Sequence, residues 1–390
     1  MSALYHNEGI NDFFSNIPDE ILAEILKTLP VKSLLRCLCV RKSWYFLVKS
    51  PTFINLHLNY HRKNTTTAIA HTNYLLFRSN TDLNLLCLRY DDEHCKEFLK
   101  LELPSVVGES ACWQATSCGL ICVSCIPGVC GSQDRIYVWN PLIQKRKTLP
   151  VLDLSPIFFG NNWTALAFGY VPWINDFQVV RIVSYGSDPS PLFLICVFSL
   201  NTNSWKTKTI REDTLVGLSI KSESVSVNGL SCWRAFNKLD TVKTETLLCF
   251  DTLNDRLRTI PLPQVGNRDS LHQFGQSVAL FVHDKFNCLN MWILKQDSID
   301  DFRWEKKASV CLREYLANAV LLGLRNNGEI ILSTFFEANL VFYNPESRVV
   351  KGFRKSWKDW TMLGPHDLFY QTPSFIVNPV VGSLVLLDTD

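Results

Sequence analysis

A recurrence of about fifty residues runs through most of this chain and leaves few folds open to it. From Tyr74 onward, short runs rich in β-branched and aromatic residues alternate with Asn, Asp, Gly and Pro. The repeated pattern is an apolar run, an Asn or Asp turn, and a second run closing on apolar residues or Pro. It reads Tyr137–Pro141 with Leu149-Pro150, Val197–Asn201 with Trp205-Lys206, and Leu248–Asp251 with Ile260-Pro261. It continues as Met291–Leu294 with Trp304 and Val341–Pro345 with Gly352-Phe353, and Leu86–Tyr90 with Leu103-Pro104 is a poorer copy. Asn140, Asn201, Asp251 and Asn344 stand 61, 50 and 93 residues apart. Leu294, 43 after Asp251 and 50 before Asn344, divides the longest interval, and Tyr90 precedes Asn140 by 50. One four-stranded sheet cannot bury both its faces, whereas a ring of such sheets stacked face to face can. The expectation is a mostly β chain built on a β-propeller of about six to seven units. Six are counted, with Pro373–Asp390 left over to close the ring against the first unit or to begin a seventh.

Phe13–Leu58 follows a helical period instead. Ile21, Leu22, Ile25, Leu26 and Leu29 share one wide apolar face. Pro18 suits the first turn, Asp19 and Glu20 complement the positive end of the helix dipole, and Pro30 stops the helix at Leu29. Val31, Leu34, Leu35 and Leu38 space a second helix. Trp44, Leu47 and Val48 space a third, which Pro51 closes or extends by a further turn. Three short helices cannot hide this many apolar side chains among themselves, so they either pack on the rest of the chain or offer a surface to a partner.

Several segments here resemble the F-box of plant F-box proteins. They are Ile17-Pro18-Asp19-Glu20-Ile21-Leu22, Ile25-Leu26, Leu29-Pro30-Val31-Lys32-Ser33-Leu34-Leu35-Arg36, Cys39-Val40-Arg41-Lys42-Ser43-Trp44, Ser50-Pro51-Thr52-Phe53-Ile54 and His57-Leu58. They match in one ungapped register, with Arg41 where cysteine is frequent and Ile17 where leucine is commonest. The resemblance implies docking on a Skp-type adaptor and, through it, on a cullin-based ubiquitin ligase. It implies adaptor binding by Ile17, Pro18, Ile21, Leu22, Ile25, Leu26, Leu29, Pro30, Leu34, Leu35, Val40 and Trp44, which either face the adaptor or set the packing that presents it. Ser117–Cys122, Trp139-Asn140-Pro141, Asn228–Trp233, Gly328–Leu332 and Tyr343-Asn344-Pro345 resemble the kelch-like F-box-associated region of the same family and of S-locus F-box proteins. The units lack the Gly-Gly pairs of true kelch blades.

Together these resemblances imply a non-catalytic substrate-recognition subunit of a Skp–cullin–F-box ubiquitin ligase, with the propeller binding an unidentified target. The S-locus likeness implies a ribonuclease target and a part in pollen–pistil self-incompatibility. A propeller enzyme and a scaffold that delivers nothing for degradation are the alternatives. Eight histidines, five of them before the second unit, make a thin supply for an active site on the channel.

The expected organisation is a leader over 1–12, the F-box over 13–58, a hinge-like linker over 59–73 and the propeller over 74–390. With 39 basic and 37 acidic residues, a net charge of +2 gives no electrostatic reason to expect nucleic acid or an anionic membrane. The first residues carry no apolar signal core, and the longest apolar run, Pro191–Leu200, is too short to span a bilayer. A cytoplasmic or nuclear protein with mostly reduced thiols is expected. No cofactor or metal is expected: Cys118, Cys122 and Cys125 read as strand and core residues rather than a zinc knuckle, and His57 and His61 as a solvated helix end. Asp91-Asp92 and Asp300-Asp301 read as solvated loop charges, and Lys145-Arg146-Lys147 as an exposed turn. Trp163, Tyr170 and Trp173 read as loop aromatics able to anchor a bound protein. No nucleophile elbow, phosphate loop or dinucleotide fingerprint occurs.

Overall fold

The structure, a computed structural model, describes residues 17–64, 73–79, 85–92, 94–102, 112–125, 135–152, 164–185, 192–211, 215–237, 245–263, 266, 269–286, 288–298, 301–311, 319–333, 340–353 and 375–387. The expected leader, most of the expected linker, Leu103-Pro104, Trp163 and Asp300 lie outside these residues.

Four helices open the described chain: α1 (Asp19–Leu26), α2 (Val31–Cys37), α3 (Lys42–Lys49) and α4 (Pro51–Lys63). Pro18 and Pro30 stand at the N-caps of α1 and α2. The fourth helix comes from Ser50-Pro51. Ser50 Oγ accepts the Phe53 N–H at 3.2 Å, and Pro51 occupies the first turn, where its missing donor costs nothing. Helix α4 runs through the boundary expected at Leu58. Ile54, His57, Leu58 and His61, spaced i, i+3, i+4, i+7, are all buried. The two histidines therefore lie inside the molecule rather than on a solvated helix end.

Among the described residues twenty-four strands follow, in four four-stranded antiparallel sheets and one eight-stranded sheet, whose two antiparallel halves of four are joined by a single parallel pairing, Gly323↔Val377; each group of four is one blade. The first blade holds β1 (Asn73–Ser79), β2 (Leu85–Tyr90) and β3 (Glu97–Glu102); the second β4 (Cys112–Ser117), β5 (Leu120–Cys125), β6 (Ile136–Asn140) and β7 (Lys145–Thr148). The third holds β8 (Thr164–Val171), β9 (Asp176–Tyr185), β10 (Leu192–Ser199) and β11 (Ser204–Ile210); the fourth β12 (Leu218–Val227), β13 (Leu230–Asn237), β14 (Glu245–Asp251) and β15 (Arg256–Pro261). The fifth holds β16 (Ser270–Phe274), β17 (Ser277–His283), β18 (Cys288–Gln296) and β19 (Phe302–Cys311); the sixth β20 (Val320–Leu324), β21 (Ile330–Ser333), β22 (Leu340–Tyr343) and β23 (Val350–Phe353). The remaining strand, β24 (Phe375–Val381), pairs antiparallel with β1 along its whole length, from Asn73↔Val381 to Ser79↔Phe375. It completes the first blade, so the ring has six blades and the leftover segment starts no seventh.

The inner strands β24, β4, β8, β12, β16 and β20 touch their neighbours in that order and close the circle. Two glycines let β24 fit. A Cβ on Gly323 of β20 would sit 1.9 Å from the Val377 carbonyl oxygen, and one on Gly119 would sit 2.5 Å from that of Val381. A buried ion pair joins blades six and one: Arg325 Nε donates to Asp91 Oδ1 at 2.6 Å, and the Asn326 amide donates to Oδ2 at 3.1 Å. Asp91 is thus a latch rather than a solvated loop charge.

The fifty-residue period is the spacing of one turn. After the third strand of blades two, four and six, Asn140, Asp251 and Asn344 each accept the backbone N–H two residues on. Four residues after each, Gln144, Asp255 and Arg348 take positive φ. In blade three Ser199 fills the first position and Asn203 the last, so Asn201, the expected anchor, lies inside the turn. Cys118 is in the β4–β5 turn with Gly119, not in the strand that carries Cys122, because both residues take positive φ. Lys145-Arg146-Lys147 is strand β7 rather than a turn, and Tyr170 is buried in β8 rather than exposed.

The helical unit sits on the rim that carries these tight turns. Its core of Leu22, Leu26, Val31, Leu34, Val48, Phe53 and Ile54 continues into Leu384 and Leu387, with Leu142 and Ile143 of the β6–β7 turn packed alongside. Leu58 enters the core between blades two and three beside Leu120 and Leu386. Residues 382–387 are held between ring and helices, where Asn140 Nδ2 donates to the carbonyls of Ser383 and Val385 at 2.8 and 2.9 Å.

Candidate functional site

Helix α1 divides its apolar residues between two faces. Leu22 and Leu26 are 5% and 3% exposed and belong to the helical core; Ile21 and Ile25, one residue earlier in each case, are 53% and 52% exposed. The structure sorts the other residues implied by the resemblance in the same way. Pro18 and Val40 are exposed, Ile17, Leu29, Pro30, Leu35 and Trp44 are half-buried, and Leu34 is buried. Phe46 on α3, 69% exposed, and Tyr45, edge-on to it with ring centroids 5.6 Å apart, add aromatic surface that sequence reasoning missed. The signal was there: Phe46 falls off the face defined by Trp44, Leu47 and Val48 yet is fully apolar.

The exposed face is backed by a rigid seat. His57 Nε2 donates to the Leu29 carbonyl at 3.2 Å and fastens α4 to the α1–α2 turn. The His61 ring lies 4.2 Å from that of His57. Burial, reinforced by His61, pulls the His57 imidazole down to about 3 against the pull of the Leu29 hydrogen bond. Burial lowers His61 as well. The Arg62 guanidinium stands 5.1 Å from the Tyr170 ring centroid, tying the end of α4 to β8.

Among the described residues no group of three or more His, Cys, Asp or Glu is placed to hold a metal ion. Cys122 is buried, and burial raises its thiol pKa, as for a core residue. Arg234, Glu245, Lys221 and Asp269 form a charged cluster at the junction of blades four and five. Arg234 donates to Glu245 and to the Asp269 carbonyl, and Lys221 donates to Glu245 at 2.8 Å. Two cations face two carboxylates here, an arrangement that joins blades. No described helix is long and apolar enough to cross a membrane.

Comparison with known proteins matches two families in turn along the chain. A family described as F-box domain matches residues 14–56, and one described as F-box associated beta propeller domain matches residues 72–359. The F-box/kelch-repeat protein At3g23880 of Arabidopsis thaliana is 24% identical over 393 residues, covering 93% of this chain and all of that protein. The F-box protein At5g49610 of the same plant is 27% identical, covering 76% of this chain and 79% of its own. The F-box protein CPR1 of Arabidopsis thaliana is 30% identical over 200 residues, covering 49% of this chain and 45% of its own. With helices seated on one rim of a six-bladed ring and both families matched in turn, the chain belongs to the F-box proteins that carry an F-box-associated β-propeller domain.

Proposed function

We propose that this protein is the substrate-recognition subunit of a Skp–cullin–F-box ubiquitin ligase. The observation that carries the reading is uncovered apolar surface: Ile21 and Ile25 on α1, with Pro18 before it and Val40 after α2, stay exposed although these helices bury Leu22, Leu26 and Leu34. These four would meet the Skp-type adaptor, with Leu29, Pro30, Leu35 and Trp44 at the margin. Leu22, Leu26 and Leu34 would act only by holding the helices in place. Fully burying an isoleucine contributes on the order of 1.5–3 kcal/mol, so a few such side chains supply useful affinity. The chain itself does no chemistry in this reading. The propeller holds a target near a ubiquitin-charged enzyme, which raises the effective concentration of the target's lysines. A cytoplasmic or nuclear site of action goes with this role. A ribonuclease target in pollen–pistil self-incompatibility is its narrower form, supported by the S-locus likeness alone.

The test is co-purification with a Skp-type adaptor. Ile25→Asp, which alters exposed surface, is expected to abolish adaptor binding while the melting temperature holds. Retention of the adaptor by Ile21→Asp/Ile25→Asp would overturn the assignment of this face.

A further inference from the structure

Cysteines stand directly opposite one another on neighbouring strands of the ring. In blade five Cys288, the first residue of β18, faces Cys311, the last residue of β19, and the two are joined in a disulfide. The other cysteines whose side chains are described are free thiols. They include Cys232 and Cys249 of blade four, which face each other across β13 and β14 in the same register relation. Accessibility separates the two pairs. Cys232 and Cys249 are closed off in the core between blades four and five, whereas Cys311 is exposed and Cys288 is 7% exposed. Burial, reinforced by Cys232, also holds the Cys249 thiol well above its ordinary range, and a thiol that keeps its proton is a poor nucleophile.

The backbone explains why the bond forms in blade five. The Cys288 N–H donates to Asp284 Oδ1 at 2.9 Å, and the Cys288 carbonyl accepts the Asp284 N–H at 3.0 Å. Both groups therefore point away from β19. Cys288 and Cys311 are thus a non-hydrogen-bonded pair, the kind whose side chains approach most closely across an antiparallel ladder. Their Cα atoms are 4.1 Å apart. Asp284 also accepts the Phe286 N–H at 2.9 Å and Asn290 Nδ2 at 3.0 Å, and Asn290 Oδ1 accepts the Ser309 hydroxyl at 2.7 Å. Cys288 is held on a fixed base, while Cys311 ends an outer strand whose residues are mostly exposed. The pair lies at the open end of the β18–β19 hairpin, on the rim away from the helices. Val310, beside Cys311, reaches the core between blades five and six.

We infer that Cys288 and Cys311 form a thiol–disulfide exchange site, opened by a low-molecular-weight thiol of the glutathione class and closed by the corresponding disulfide. Exposed disulfides are the ones that small thiols reach. In the opening direction a small thiolate attacks the Cys311 sulfur, forms a mixed disulfide there and displaces Cys288 as a thiolate, which takes up a proton. A second small thiolate attacks the small-molecule sulfur of that mixed disulfide and displaces Cys311, which is protonated in turn. Two electrons and two protons pass to the protein, and two small thiols leave as one disulfide. Opening frees the last residues of β19, with Val310 among them, from their covalent tie to β18. The exchange does not depend on the ligase reading.

The experiment equilibrates the full-length chain in buffers of varied glutathione to glutathione-disulfide ratio, quenches with acid, and reads each cysteine by differential alkylation and peptide mass spectrometry. Cys288 and Cys311 are expected to change together, as one two-electron couple, while Cys232 and Cys249 hold their state until the chain is unfolded. Hydrogen exchange at residues 307–311 should be faster in the reduced chain. In Cys288→Ser/Cys311→Ser, checked by circular dichroism, it should be fast and alike in both buffers. The inference is overturned if the bond survives excess glutathione in the folded chain, or if glutathione disulfide fails to restore it. It is also overturned if Cys232 and Cys249 exchange as readily, or if residues 307–311 exchange hydrogen alike in both states. Adaptor retention, scored on the same preparations, is expected to be equal in the two states and reports separately on the F-box face.

Discussion

In β8 every residue from Ala165 to Val171 is buried, whereas on α1 Ile21 and Ile25 are more than half exposed. Both regions carry large apolar side chains but differ in what covers them. Each blade of the ring has a neighbour on both faces, so its strands can be apolar without interruption. The helical unit has a covered side, supplied by residues 382–387 and the β6–β7 turn, and nothing in the described chain lies over its other side. Leu22 and Leu26 hold the unit together and Ile21 and Ile25 are available to a partner, although the two pairs differ by one position in the sequence.

Substitutions can break that contrast, and the largest effect falls inside α1. Leu26→Asp puts a carboxylate into a closed apolar core and is expected to cost about 3–5 kcal/mol, seen as early melting of the helical unit by circular dichroism. Ile25→Asp should leave the melting curve in place. Equal losses in the two variants would erase the distinction between the faces. In the ring, Asp91→Ala leaves Arg325 buried without its partner from the first blade and should cost about 3 kcal/mol in denaturant unfolding. Glu24→Ala, which removes the exposed partner of Lys27, should cost under about 0.5 kcal/mol.

Ring closure gives a smaller effect. Gly323→Ala drives a methyl group into the Val377 backbone and should lower stability by about 1–3 kcal/mol, whereas Gly352→Ala meets nothing within 4 Å and should be close to neutral. A further effect is set by pH. His57 has a folded-state pKa of about 3, far below the 6.5 of a free imidazole, so the unfolded chain binds the proton that the folded chain refuses. Its contribution is fully present above pH 6.5 and is lost as pH falls toward 3, about 1.4 kcal/mol of it by pH 5.5. His57→Gln should flatten that slope in urea melts between pH 5.5 and 7.5. An unchanged slope would place the acid sensitivity elsewhere, with His272, also lowered by burial to about 4, the first candidate.

Much of this organisation could be read from the chain. The apolar period of α1–α3 and the recurring turn marked a helical part and a ring of six or seven units, because each reflects a local rule repeated many times. Helix α4 was harder to see. Two of its five buried positions are histidines, and a buried polar residue looks like surface until its partner, the Leu29 carbonyl, is known. Asp91 was misjudged for the same reason, since Arg325 lies 234 residues away. The apolar residues of α1 were legible as a set but not as an orientation. Periodicity marks an apolar stripe wide enough to include both Ile21 and Leu22, and only the placement of the ring decides which side of the stripe is left open.

Residues 375–387 also carry a consequence for how the molecule is made. They are translated after every other described element, yet they supply the innermost strand of the first blade and the surface on which the helices rest. On a translating ribosome, β1 must wait without its β24 partner, and α1 to α4 without their seat, while nearly 300 residues pass between them and the segment that completes both. Completion of the ring and presentation of the exposed helical face are thus tied to one late event of synthesis.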